Sequence, residues 1–370
     1  MKKIYIIAGE ASGDLHGSNL VEAMNKANSN LIWRGWGGKK LESKGVTIDV
    51  RYEDANFMGF VEVVKNLPKI LKLFKITKAS ILEFKPDAII LIDYPGFNLR
   101  MAKWAKSHHI PVYYYIAPQV WAWKESRVKI IRECVRKLFV ILPFEKEYFK
   151  KHNIDAEYFG HPLMQYVKDF KSDSNFRKRN NLDNRSIIAL LPGSRTQEIK
   201  TMLPLYLQAL NKECKHQIVI AGLTQHQELY NDIRSSIGLK TSVVYNDTYN
   251  LLSHSRAAIV TSGTATLETA LFKVPQVVCY KGNALSYHIA RQLIKVPFIS
   301  LVNLIAERKI ITELIQNDTT SDNIRKELYS LLTPVKRQEI IKDYNTIHEK
   351  LLNNTNVSDL AKSILGTLKF

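Results

Sequence analysis

Ile187-Ile-Ala-Leu-Leu-Pro-Gly-Ser-Arg-Thr-Gln-Glu-Ile-Lys200 is the stretch whose reading decides the fold. Ile187 to Leu191 is a short unbroken apolar run, the pattern of a parallel-sheet strand covered on both faces. Pro192 and Gly193 end it, and Ser194 is placed to cap a helix that starts near Thr196. A strand, a tight glycine turn and a helix start together aim backbone N–H groups and a helix dipole at one point, which suits an anion. Arg195 adds a planar guanidinium matched to two-pronged phosphate contact. Taken alone, the loop also fits an ordinary strand–helix turn with a solvated arginine.

The same alternation runs outward in both directions. Upstream, Lys3 to Ala8 reads as a first buried strand, followed by Gly9-Glu-Ala-Ser-Gly-Asp14 and a helix from Leu15 to Asn25. This opening is not G-x-G-x-x-G, so it does not signal a dinucleotide site. Further strands are expected at Asn30–Trp36, Asp87–Asp93, Tyr113–Ile116 and Leu138–Pro143. Ligands of open α/β sheets collect beyond the carboxyl ends of strands, which is where Asp93 falls. Downstream, strands are expected at Gln217–Ala221, Ser242–Tyr245, Ala257–Thr261 and Gln276–Tyr280, with a helix from Gln225 to Ser236. The polar run from Lys168 to Asn184 separates the halves. Two doubly wound halves imply a cleft between them.

A chain of 370 residues suits two domains, and 45% hydrophobic with 24% charged residues is a globular composition. Cys134, Cys214 and Cys279 lie far apart without metal-type spacing, which fits a reducing compartment. Polar residues interrupt the first apolar run too early for a signal peptide, and no stretch is long enough to span a bilayer, so a cytoplasmic protein is expected. The net charge of +18 calls for an anionic partner: nucleic acid, a membrane surface or an anionic substrate.

Phe57 to Phe84 bears on that choice. Apolar Val61, Val63, Val64, Leu67, Ile70 and Leu71 interleave with Lys65, Lys69 and Lys72 at helical spacing. Two readings fit: a domain helix with lysines in solvent, or a basic amphipathic segment lying on anionic lipid. A nucleic-acid platform would instead cluster its cations with exposed aromatics, so nucleic acid is not the expected partner.

In Ala258-Ile-Val-Thr-Ser-Gly-Thr-Ala-Thr-Leu-Glu-Thr-Ala270, a strand ends on Ser262, Gly263, Thr264, Ala265 and Thr266, small residues that let backbone approach a ligand. Glu268 follows in the first helical turns, where a carboxylate can meet ribose hydroxyls. An acidic residue against the helix dipole is the plainer reading of Glu268, but it does not account for the small residues.

The motifs Gly9-Glu-Ala-Ser-Gly-Asp14, Met58-Gly-Phe-Val-Glu62, Asp93-Tyr-Pro-Gly-Phe-Asn98, Val120-Trp-Ala-Trp123, Leu142-Pro-Phe-Glu145, Gly160-His161, Leu191-Pro-Gly-Ser-Arg195, Ser262-Gly-Thr-Ala-Thr-Leu-Glu268 and Asn303-Leu-Ile-Ala306 occur in this order along nearly the whole chain. Jointly they resemble the lipid-A-disaccharide synthases, glycosyltransferases of the two-Rossmann-domain (GT-B) type. The resemblance implies an α/β, GT-B-like fold with two doubly wound parallel-sheet domains facing across a cleft. Residues 1–165 would form the acceptor and membrane-facing domain and 166–345 the UDP-sugar domain, with a helical segment, 346–370, packing back on the first.

The implied reaction is inverting transfer of diacylglucosamine from UDP-diacylglucosamine to diacylglucosamine 1-phosphate, at the cytoplasmic face of an inner membrane, without cofactor. A UDP-sugar epimerase on a similar scaffold is the alternative. By the resemblance, Asp93 is the essential aspartate, Gly193, Ser194 and Arg195 hold the donor phosphates with the Ser262–Thr266 loop, and Glu268 holds the ribose. Asn303 falls at a cleft asparagine, and Glu10, Ser12, Gly13 and Asp14 line the acceptor side. Gly96 stands where relatives often carry Asp, and Glu307-Arg308-Lys309 where Gly-Arg-Glu is common. No D-x-D pair occurs, so no metal clamp is expected. Inversion needs one base for the acceptor hydroxyl. His16 has the better-matched intrinsic pKa, whereas Asp93 needs burial to raise its own. Asp93 is the expected base, with His16 assisting.

Overall fold

The computed structural model describes residues 1–55, 66–123, 126–210, 214–282 and 296–368. They form two compact units, Met1–Pro162 with Asn353–Phe370, and Leu163–Leu352.

The first unit is built on a seven-stranded sheet, all of its strand pairs parallel. Its strands are β1 (Lys2–Ala8), β2 (Leu31–Gly37), β3 (Val46–Arg51), β4 (Ala88–Ile92), β5 (Val112–Tyr115), β6 (Lys137–Val140) and β7 (Ala156–Tyr158), in the order β3-β2-β1-β4-β5-β6-β7. The central strands β1 and β4 carry almost only Ile, Leu, Ala and Tyr and are buried on both faces, because helices cover each side. Helix α1 (Ala11–Ala27) covers one face, where Leu20, Val21 and Met24 join Ile4, Ile6 and Ala8. Helices α2 (Leu67–Phe84) and α3 (Pro95–Ser107) bring Leu73, Ile81, Phe97 and Met101 to the core cluster of the other, with Tyr5, Ile89 and Leu91.

The second unit carries six parallel strands, β8 (Ile187–Leu191), β9 (Gln217–Gly222), β10 (Ser242–Tyr245), β11 (Ser255–Thr261), β12 (Gln276–Tyr280) and β13 (Glu313–Ile315). Their order, β10-β9-β8-β11-β12-β13, is the doubly wound arrangement that the sequence pattern implied. Helix α4 (Thr196–Ala209) follows β8 and α5 (Thr264–Leu271) follows β11.

Two details differ from the sequence-based expectation. The strands β3, β7 and β13 were not anticipated; they lie at or near sheet edges, and two have only three residues. The boundary expected at residue 345 falls at Leu352 instead. Pro334 opens the 18-residue helix α6 (Pro334–Leu351), which runs on through 345 with Ile340, Tyr344, Ile347 and Leu351 buried. The last helix, α7 (Val357–Leu365), lays Leu360, Ala361, Ile364 and Leu365 into the core cluster around α1 and β1.

Candidate active site

In the first unit the chain turns outward in opposite directions after β1 and β4, so the carboxyl ends of these neighbours form the topological switch point. Gly9 and Glu10 follow one strand, Asp93 and Tyr94 the other. Gly9 is dictated by contact, since a Cβ there would lie 2.4 Å from the Tyr94 ring. Asp93 and Tyr94 both take left-handed backbone angles, φ 43° and 48°, which residues with side chains rarely adopt. Hydrogen bonds hold the turn: the Asp93 carbonyl accepts from Asn98 Nδ2 at 2.7 Å and from the Tyr114 hydroxyl at 2.6 Å, and its N–H donates to the Tyr115 carbonyl. The carboxylate thus springs from a backbone fixed by α3 and β5 together.

Burial raises the Asp93 carboxyl from 3.8 to about 6, although the Tyr94 backbone hydrogen bond opposes the shift. His16, on α1, moves the other way: burial lowers it to about 4. The intrinsic ranking is therefore reversed, and Asp93 is the stronger base of the two. His161 is also buried and lowered to about 3, by burial first and then by the charge of His16. Both imidazoles are neutral at neutral pH.

Sequence reasoning passed over Glu145 and His161 as site residues, although both stand in the motifs quoted above. Glu145 is 1% exposed and lies just beyond β6. Its carboxylate accepts from Trp121 Nε1 at 3.0 Å and from the N–H groups of Leu142 and Ile141 at 2.9 and 3.2 Å. Burial nevertheless raises it to about 7, with the Asp93 charge adding to the shift. The site thus holds a second buried carboxylate within electrostatic reach of Asp93.

The rest of the first loop is divided in its duties. Ser12 is exposed and Glu10 half-buried beside Tyr94. Asp14 and Gly13, expected to line the acceptor side, are buried instead. Asp14 Oδ1 accepts from the N–H of Gly38 at 2.7 Å and of Leu41 at 3.1 Å, while Oδ2 accepts from Lys40 at 3.2 Å. It ties α1 to the start of the Lys39–Glu42 turn, a structural duty.

In the second unit the switch point lies between β8 and β11, and both sequence motifs fall on it. Ser194 does not cap α4; Arg195 holds that position. Glu198 reaches back, its Oε2 accepting from the N–H of Ser194 at 3.0 Å and of Arg195 at 3.3 Å, while its Oε1 lies 3.2 Å from the Arg195 guanidinium. Gly193, at φ 105°, makes room for this: a Cβ there would sit 2.3 Å from Glu198 Oε2. The donors expected to await an anion are thus satisfied by the chain's own carboxylate.

On the β11 side, Gly263 and Thr264 are exposed and Ala265 half-buried. Thr266, expected to offer its N–H to the donor, is fully buried, and its N–H and hydroxyl both donate to the Gly263 carbonyl. Ser262 donates its N–H to the Cys279 carbonyl and its hydroxyl to that of Ile299. Glu268 is half-buried, accepts from the Tyr249 hydroxyl at 3.1 Å, and is raised in pKa by burial.

Asn303 departs furthest from expectation. It is 0% exposed, its Oδ1 accepts from the N–H of Ile310 and Ile311, and its Nδ2 donates to the Ile311 carbonyl and to Glu313. All four hydrogen-bonding positions of the amide are filled, so Asn303 shapes the loop and has none left for a donor. Val61, Val63, Val64 and Lys65 lie outside the described residues. Leu67 and Leu71 are 46% and 59% exposed on α2, with Lys69 and Lys72 exposed beside them and Ile70 half-buried.

Comparison with known proteins gives two kinds of result. Solved structures similar over the whole chain include the UDP-GlcNAc 2-epimerase of Neisseria meningitidis bound to UDP-GlcNAc, with TM-score 0.61, 15% identity, and 100% of this chain and 99% of that one covered. Anabaena HepE in complex with UDP and glucose has TM-score 0.56 and 12% identity, covering 100% and 99%. At such identities the likeness speaks for the two-domain Rossmann-type fold alone. Sequence comparison goes further. The lipid-A-disaccharide synthase of Syntrophus aciditrophicus is 38% identical over 358 residues, covering 95% of this chain and 94% of its own. That of Coxiella burnetii is 36% identical over 369 residues, covering 98% of both. The family model described as lipid-A-disaccharide synthetase matches residues 4–365, a span that contains both switch-point motifs and every site residue described above, and the chain belongs to the lipid-A-disaccharide synthase family.

Proposed function

We propose that this glycosyltransferase moves diacylglucosamine from UDP-diacylglucosamine to diacylglucosamine 1-phosphate with inversion, using Asp93 as the base. The observation that carries the reading is Asp93: it follows β4 at the switch point, its backbone carbonyl is held by Asn98 and Tyr114, and its carboxyl is raised by burial to about 6. A base of that strength is ionised at neutral pH yet more basic than a solvent-exposed carboxylate. Asp93 takes the proton of the attacking acceptor hydroxyl while its oxygen bonds to the anomeric carbon. The bond from that carbon to the UDP oxygen breaks on the opposite face, and UDP leaves. His16, neutral on α1, assists by positioning.

The donor belongs to the second unit. The Arg195 guanidinium and the backbone N–H groups of Ser194 and Arg195 meet the diphosphate, with Gly263, Thr264 and Ala265 along its other side and Glu268 on the ribose. Glu198 must release the loop for this to happen, since its carboxylate occupies the same donors. The protein cations then relieve the leaving-group charge without a metal.

Both substrates carry acyl chains, so the work is done at a membrane surface. Among the described residues no helix is long and apolar enough to cross a bilayer. Exposed Leu67 and Leu71 on α2 enter the acyl boundary, while Lys69 and Lys72 meet anionic headgroups, each contributing about 1 kcal/mol. The surface is the cytoplasmic face of the inner membrane. Mass spectrometry of the products from UDP-diacylglucosamine and its 1-phosphate acceptor tests the reading. The expected product is the disaccharide 1-phosphate, with UDP released only when acceptor is present. An epimerised donor sugar, or UDP release without acceptor, overturns it.

A further inference from the structure

Glu268 is the proposed ribose ligand, and a carboxylate does that work only if one rotamer presents its oxygens to both hydroxyls. The structure supplies a device for this that the motif does not contain. Tyr249 lies in the short helix Thr248–Ser253, which follows β10, whereas Glu268 lies in α5, after β11. In sheet order β10 and β11 are separated by β9 and β8. The hydrogen bond from the Tyr249 hydroxyl to Glu268 Oε1, 3.1 Å long, therefore joins the loops of distant strands. The Tyr249 ring is held between Phe170, at 5.8 Å and nearly perpendicular, and Phe272, at 5.0 Å, and these two rings meet each other at 5.2 Å.

We propose that Tyr249 is a positioning residue that fixes the Glu268 carboxylate for the 2′- and 3′-hydroxyls of the donor nucleotide, and thereby makes the site selective for a ribonucleotide. The inference rests on the reading of Glu268 as ribose ligand. A phenol has one proton to donate, and giving it to Oε1 orients the carboxylate while Oε2 remains for hydroxyl donors. The same hydrogen bond opposes the effect of burial, which favours the protonated carboxyl.

The test compares binding of UDP and 2′-deoxy-UDP to the full-length chain by titration calorimetry. The wild type should prefer UDP, and Glu268→Gln should lose that preference. Tyr249→Phe keeps the ring and its packing; it should lower the UDP preference about tenfold, the loss of one hydrogen bond to a charged group, and raise KM for the donor with kcat nearly unchanged. Phe170→Leu loosens the same cluster but leaves the hydroxyl, and should keep the wild-type preference. If Glu268→Gln retains the preference, the ribose reading falls and the inference with it. If Glu268→Gln loses it while Tyr249→Phe retains it, or Phe170→Leu lowers it equally, the role of Tyr249 alone is overturned.

Discussion

Replacing Asp93 by asparagine should make the protein more stable and nearly inactive at once. The folded chain holds the Asp93 carboxyl at about 6 rather than 3.8 because burial disfavours its charge. At about 1.4 kcal/mol per pH unit, this difference corresponds to roughly 3 kcal/mol. Because the folded pKa is raised, the stability is fully present below 3.8 and is lost as pH rises through about 6. Asp93→Asn cannot ionise, so it escapes that loss above about pH 6 and gains nothing below about pH 4. The amide must bury an NH2 group in place of a carboxylate oxygen, which reduces the gain to about 1–3 kcal/mol. For a unit of this size that is a rise in melting temperature of about 3–10 °C near pH 7.5, shrinking to none near pH 4. Turnover, followed as UDP release, should fall about 100- to 10,000-fold with UDP affinity nearly intact. Scanning calorimetry across that pH range, alongside the activity assay, reads both effects. A melting difference that stays flat with pH refutes the buried carboxylate. If Asp93→Asn remains active and His16→Ala is dead, the base is His16.

Further perturbations address the donor and the membrane. Arg195→Ala should weaken UDP binding and lower turnover about 100-fold or more, Glu198→Gln should tighten UDP by releasing the Ser194 and Arg195 donors, and EDTA should change nothing; a loss that magnesium restores would refute metal-free charge relief. Replacing Leu67 and Leu71 together by serine should free the protein from anionic liposomes without shifting its melting temperature, since both are exposed, whereas a collapse of stability would mean that they pack inward.

The doubly wound architecture was legible in the sequence because a strand buried on both faces must be apolar throughout. The bounds of β8 and β12 were read residue for residue from that pattern. Three of the edge strands escape the same logic: β3 alternates Val46, Ile48 and Val50 with polar residues, and β7 and β13 are too short for any periodicity. The site motifs at Gly193–Arg195 and Ser262–Glu268 were equally visible, since each is one continuous loop. What those residues are free to do was not visible, because partners decide it. Asn303 reads as a ligand until Ile310, Ile311 and Glu313 fill its amide, and Asp14 until Gly38, Lys40 and Leu41 claim its carboxylate. Intrinsic pKa alone favours His16 as a base, and the sequence pointed to Asp93 only through the family resemblance and a burial it could not show. Tertiary structure supplies that burial: desolvation raises a carboxyl and lowers an imidazole, and its extent depends on what the whole fold packs around each group.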